Sequence, residues 1–260
     1  MSFLPHPACR LPILFAAAAL ILVALAPARG QGNPNPPSVA QPAAGEPRWN
    51  LIAECQMVVL PQKVALAMMP DLSDDDKIEG TWTKIQQLIE HGEATLVANL
   101  SVRAEPGVRA VAESIEELRY ATEYTPPQLP ESVPKDVKPG EALKNWPHVG
   151  IVPTAFETRN IGATMEMEAT PSKDGQWVAV AVVPQHVRFL RYTKTDAGVL
   201  ASGEHLSIEQ PYFSSMKSTI SMHTRTGQRV MLGMHKLPDD ETKMELFFFR
   251  VRTQQTGNAK

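Results

Sequence analysis

At 260 residues the chain is long enough for one ordinary domain or two small ones, and a hydrophobic content of 43% supports a folded core. A net charge of −3 leaves no basic footprint for nucleic acid. The 23 prolines concentrate in two stretches that read as linkers rather than as parts of a sheet.

The N-terminus reads as an export signal. Arg10 is the only positive side chain ahead of an apolar run from Leu11 to Ala26, and small residues follow at Ala24, Ala26 and Ala28. These are the n-region, h-region and A-x-A-like site of a signal peptide over residues 1–28. The alternative is an uncleaved anchor, but the run is shorter than the ~20 apolar residues of a spanning helix. No cysteine directly follows the run, which argues against a lipoprotein anchor. Removal of the signal takes Cys9 with it and leaves Cys55 alone, so no internal disulfide is expected. Cys55 sits in the apolar run Leu51–Leu60 and reads as a small buried hydrophobe.

Residues 29–47 are rich in Pro, Gly, Gln, Asn and Ala, which cannot offset the entropy of ordering, and are expected to form a disordered tether. The folded part is expected over 48–255, opening with a strand at 49–60 and a short helix from Gln62 to Met69 that Pro70 ends. Asp74, Asp75 and Asp76 suit a helix N-terminus, where carboxylates meet unpaired N–H groups. Gly80 weakens that first turn and moves the expected start towards Thr81. Trp82, Ile85, Leu88 and Ile89 then follow at helical spacing, with Gly92 as the C-cap.

Beyond Glu93 the period becomes two. Strands are expected over 94–102 and 109–115, around a turn at Glu105-Pro106-Gly107. Residues 125–147 are a Pro-rich loop. Further strands are expected at 156–169, 177–183, 216–223, 229–234 and 244–252, with 210–234 reading as two strands joined by a turn at Thr226-Gly227. Thr164, Glu166 and Glu168 share one strand face, and Met165, Met167 and Ala169 the other. Phe247-Phe248-Phe249 reads as a core strand, and Trp82 as packing the helix on the sheet. The fold class is α+β, mainly β, built from antiparallel sheets with one clear helix.

Several of these segments resemble, in order, the secretin domain, the ring-forming β domain of bacterial type II and type III secretion channels. Residues 85–98 resemble its helix, Gly and small-residue strand, which places Gly92 in the motif. The strands from Arg109 to Tyr124 resemble the pair that leads into the family's gate region. Residues 157–171 are the fullest match, carried by Ile161, Gly162, Met165, Met167 and Pro171. Residues 210–234 resemble the family's final hairpin, with Gly227 and Gly233 in it, and 245–253 its closing strand. The resemblance implies a homo-oligomeric β ring, other secretion-system proteins as partners, and a bacterial outer-membrane or periplasmic location. It implies no cofactor and no catalysis.

The chain also departs from the pattern. Gly233-Met234 stands where the family has Gly-Gly, the 60–82 stretch is short, and no pair of long amphipathic strands is evident. The Pro-rich loop replaces the gate, and only the tether stands where the family has periplasmic ring domains. A periplasmic binding or scaffold module with this fold and no pore is the alternative. Chemistry finds little footing. The seven histidines make no H-E-x-x-H spacing, His91 lies at a helix end, and His223 on a strand face. Asp74–Asp76 lacks the alternating oxygen ligands of a calcium loop. Ser214 and Ser215 have no evident base, and there is no G-x-S-x-G, P-loop or dinucleotide fingerprint.

Overall fold

The computed structural model describes residues 47–126, 151–199 and 205–258. The signal segment, the tether and the Pro-rich loop, except for Pro47, Thr125 and Pro126, lie outside the described residues.

In chain order the elements are β1 (Pro47–Pro61), α1 (Gln62–Leu72), α2 (Ile78–Glu90), β2 (Thr95–Ala104), β3 (Ala110–Thr125), β4 (Val152–Pro171), β5 (Trp177–Val199), β6 (His205–Lys217), β7 (Ile220–Arg225), β8 (Arg229–Lys236) and β9 (Lys243–Asn258). All pairing is antiparallel. The first sheet, sheet A, runs β2-β1-β9-β8; the second, sheet B, runs β3-β4-β5-β6, with β7 also on β5. One clear helix was expected and the described residues form two, and the fold is α+β, mainly β.

Three layers follow from the period-two pattern. Along β1, Leu51, Ala53, Cys55 and Met57 face sheet B, while Val58 and Leu60 face the helices. Along β9, Phe247, Phe249 and Val251 face sheet B, and Leu246 and Phe248 face the helices. A strand buried on both faces reads as a continuous apolar run, which is why Phe247-Phe248-Phe249 sits mid-sheet with none of the three exposed. Trp82 of α2 meets Phe248 edge-on at 5.0 Å and closes the helix layer. Sheet B contributes Met165, Met167, Ala169, Val178, Val180 and Val182 to the core between the sheets. Its other face carries Glu166, Glu168 and Thr170.

Several boundaries differ from the sequence expectation. Helix α1 runs through Pro70 to Leu72. The residue that continues it, Leu72, is buried among Ala65, Ile78 and Ile85, and that burial outweighs the one backbone bond Pro70 cannot make. Helix α2 starts at Ile78, ahead of Gly80. Asp74 caps the preceding turn instead of the helix, its carboxylate accepting from the Asp76 N–H at 3.0 Å and its carbonyl from the Ile78 N–H at 3.0 Å. At the far end Gly92, at φ +75°, closes α2 with two C-terminal bonds, Gly92 N–H to Ile89 O and Glu93 N–H to Leu88 O.

The strands of sheet B run longer than expected: β3 has 16 residues, β4 20 and β5 23, against expected strands at 109–115, 156–169 and 177–183. β5 passes through Pro184. The Pro184 carbonyl accepts from the Ser218 N–H at 3.1 Å, so the missing Pro184 N–H points to the same side, where β6 ends and β7 has not begun. No ladder donor is needed there.

Candidate functional site

The expected final hairpin is not a hairpin. β7 pairs with β5 in sheet B, and β8 pairs with β9 in sheet A. The turn at Thr226-Gly227 carries the chain from one sheet to the other, with the Thr226 N–H on Gln176 O and the Gly227 N–H on Val251 O. A glycine turn between alternating strands fits either geometry, so pattern alone does not distinguish a hairpin from a corner. Gly227, at φ +80°, takes the backbone conformation that the corner requires.

Gly162 marks the centre of sheet B. It pairs with Ile115 on β3 and Val187 on β5, and it is the last point at which β4 and β5 pair. Its φ is +118°, and a Cβ there would collide with the Ser114 carbonyl oxygen and stand 3.0 Å from Ile115 Cα. Ile161 lies just outside this bend and Pro171 ends β4. Gly233 lies on β8, where a Cβ would come within 2.7 Å of Ser218 Oγ and 3.0 Å of His235 Nε2. Gly162 thus sits at a strand fork, Gly227 at the corner between the sheets and Gly233 beside Ser218, while Gly92 lies apart at the helix end.

Beyond Gly162 the pairs β3–β4 and β5–β6 continue separately. The second pair stays paired as far as Val199↔His205, with register shifts at Phe189/Arg191 and Asp196/Gly198. The facing sides of residues 152–161 and 188–199 have no strand partner in the described residues. The two pairs touch through β3 and β6. Phe213 stands 5.8 Å from the Tyr120 ring and under the Arg159 guanidinium at 5.0 Å, and the Gln210 amide donates to Ala121 O at 3.2 Å.

A polar link joins the sheets near this fork. His186 Nδ1 of β5 lies 2.8 Å from Glu245 Oε1 of β9, with Glu245 fully buried. Its other oxygen, Oε2, has no partner among the described residues. His235, opposite Glu245 on β8, reaches Ser218 Oγ at 3.2 Å. Burial pushes the His235 pKa below its ordinary value, against the smaller opposing pull of Glu245. Two residues past His186, Arg188 forks onto Asp239 at 2.7 and 3.0 Å. This group is not legible in the sequence, because its members come from strands far apart in the chain. The one local signal was a carboxylate, Glu245, inside an otherwise apolar strand.

On the helix side of sheet A, Glu54 accepts two bonds from Arg250, at 3.1 and 2.6 Å, and one from Arg252 at 2.6 Å. Burial raises the Glu54 pKa, but these bonds and charges outweigh it and the net shift is downward. Arg229 is buried with its guanidinium 4.1 Å from the Trp82 ring centre, and it donates to Gln56 Oε1. Burial of Cys55 pushes its thiol up to about 12, so it is not poised as a nucleophile. Among the described residues no three His, Cys, Asp or Glu side chains are grouped to hold a metal ion.

No family model matches the chain, and no curated protein matches it. Among solved structures it is similar to secretins of type II and type III secretion systems, the family that the sequence resembles. Aeromonas hydrophila ExeD matches at a TM-score of 0.38 and 10% identity, over 81% of this chain and 49% of that one. The secretin-domain β-barrel of InvG, from the Salmonella SPI-1 injectisome, matches at 0.37 and 9% identity, over 82% of this chain and 64% of that one. GspD in the enterotoxigenic Escherichia coli pilotin–secretin complex with AspS matches at 0.39 and 10% identity, over 82% and 50%. The chain therefore spans about half to two thirds of the length of these structures.

Proposed function

We propose that the chain is a secretin-like component of a type II or type III secretion-type channel, acting in protein secretion as one subunit of a homo-oligomeric β ring. In this reading it is exported to the bacterial outer membrane or periplasm and works with other secretion-system proteins. Backbone pairing between copies carries the function, with no catalytic side chain and no cofactor. The observation that supports it most is the number of strand edges a single described domain leaves open. Sheet A ends in β2 on one side and β8 on the other, and the facing sides of β4 and β5 are unpaired beyond Gly162. Open edges recruit further strands unless they are protected, and closure of a barrel is the one arrangement that removes them. Gly92, Ile161, Gly162, Pro171, Gly227 and Gly233 are the structural residues of this reading, at the end of α2, the bend and end of β4, the corner and the interior of β8.

A specific observation favours the second reading, a periplasmic scaffold module without a pore. The projecting part of β5–β6 carries the exposed pair Lys194–Glu209 at 2.8 Å, with Arg191 and Asp196 beside it. Charges on a lipid-facing strand are costly near the bilayer centre.

The test is the native mass of the exported protein, by light scattering after size exclusion, with and without detergent. A large, discrete, detergent-dependent particle supports the channel ring, and electron microscopy then looks for a pore. A water-soluble monomer refutes the ring and leaves the scaffold module, with partner capture as the next step.

A further inference from the structure

The two free edges of sheet A carry opposite unpaired charge on the same, helix-covered side of the sheet. At the β8 edge, the first residue, Arg229, lies under the start of α2, with its Nε 3.7 Å from Glu79 Oε1. The turn that leads into α2 therefore sits above this edge, on the helix side of the sheet. In that turn Lys77 is held by Asp74 at 3.2 Å and Asp71 at 3.7 Å. The exposed carboxylates of Asp75 and Asp76 have no partner among the described residues. At the β2 edge the unpaired charge is Arg103, which is exposed and meets no carboxylate among the described residues.

Register sets the heights. Arg229 pairs with Arg250, Arg250 with Glu54, and Glu54 with Ser101. Arg103 is two residues from Ser101 on β2, about 7 Å along the strand. It also lies on the helix side, because it shares a rung with Ile52 and Arg252, and Arg252 bonds the Glu54 carboxylate on that side. Direction agrees as well. Four antiparallel strands leave β2 and β8 running in opposite senses, so β8 of one copy set against β2 of the next continues the antiparallel alternation. β2 also leaves Leu96 and Val97 more than a third exposed.

We propose that sheet A docks head to tail on a second copy of this chain, β8 to β2, and that Asp75 and Asp76 of one copy bind Arg103 of the next. The contact rests on the ring reading above and adds the surface and the charge pairs that set its register. Because the contact is heterologous, the two halves lie on different faces of one chain. Like charges placed opposite each other then suppress the wrong register.

The experiment uses the full chain, wild type and variants, in concentration series by light scattering, with and without detergent. The variants are Arg103→Glu, Asp75→Lys with Asp76→Lys, and all three changes together. Thermal melts within about 2 °C of wild type establish that these exposed positions leave the fold intact, and Arg103→Gln serves if a reversal does not fold. Each reversal is expected to weaken self-association by about tenfold or more, and the triple variant, with its charges exchanged, to recover most of that loss. A wild type that assembles while the reversals and Arg103→Gln leave assembly unchanged overturns this contact and leaves the ring reading standing. A wild type that is monomeric throughout overturns both.

Discussion

Replacing Gly162 with valine tests the bend at which β4 leaves β5. Two costs add. The native φ of +118° lies where L side chains are strained, a penalty of about 1–3 kcal/mol. The added Cβ also meets Ser114 O and Ile115 Cα, both backbone atoms of a paired strand that cannot swing aside, at a further cost of about 1–3 kcal/mol. A total of roughly 2–6 kcal/mol corresponds to a drop in Tm of about 5–20 °C for a domain of this size. Gly162→Ala carries the same Cβ and is expected to lose most of the same stability, so the effect belongs to the first carbon and not to valine's branching. The assay is a thermal melt followed by circular dichroism, with particle mass measured on the same samples. An unchanged Tm and an unchanged mass for Gly162→Val refute the argument, because they require a strand that tolerates both the clash and the strain.

Gly80→Ala is the matching control. It adds a Cβ that meets nothing within 4 Å, inside α2, and is expected to stabilise by up to about 1 kcal/mol, read as a higher Tm. His186→Leu removes the partner of a fully buried carboxylate and is expected to destabilise by about 3–5 kcal/mol, whereas His186→Leu with Glu245→Leu recovers most of that loss in a denaturant series. Acidification is expected to weaken the fold through His235. Its folded pKa lies below the ordinary 6.5, so the unfolded chain binds the proton more readily, and stability present above about pH 6.5 falls as the pH drops towards the folded pKa. Melts at stepped pH check the sign, and His235→Gln should flatten this part of the profile.

The core was more legible than the connections. Phe247-Phe248-Phe249, the alternation of Met165, Met167 and Ala169, and the helical spacing of Trp82 and Ile85 each report burial locally, and each lies where its period places it. The projecting half of β5 was not legible. Residues such as Arg191, Thr193 and Lys194 are exposed and held by backbone pairing with β6, which leaves no hydrophobic period to read. The polar link at Glu245 was hidden for another reason. His186 and Glu245 are 59 residues apart and meet only because sheet B packs over sheet A. Thr226-Gly227 announced a turn but not which partners the flanking strands would choose.

The place of β9 bears on how the chain reaches this state. The last strand lies between the first strand and β8, and Arg250 bonds a residue 196 positions earlier in the chain. Nothing made before β9 can complete sheet A, and both hydrophobic cores lose Phe247, Phe248 and Phe249 without it. Contacts at such separation close slowly, because loop entropy is lost before burial returns anything. Sheet A of the nascent polypeptide therefore stays open until β9 is released, and a truncation before Lys243 yields a chain that cannot fold, instead of a smaller domain.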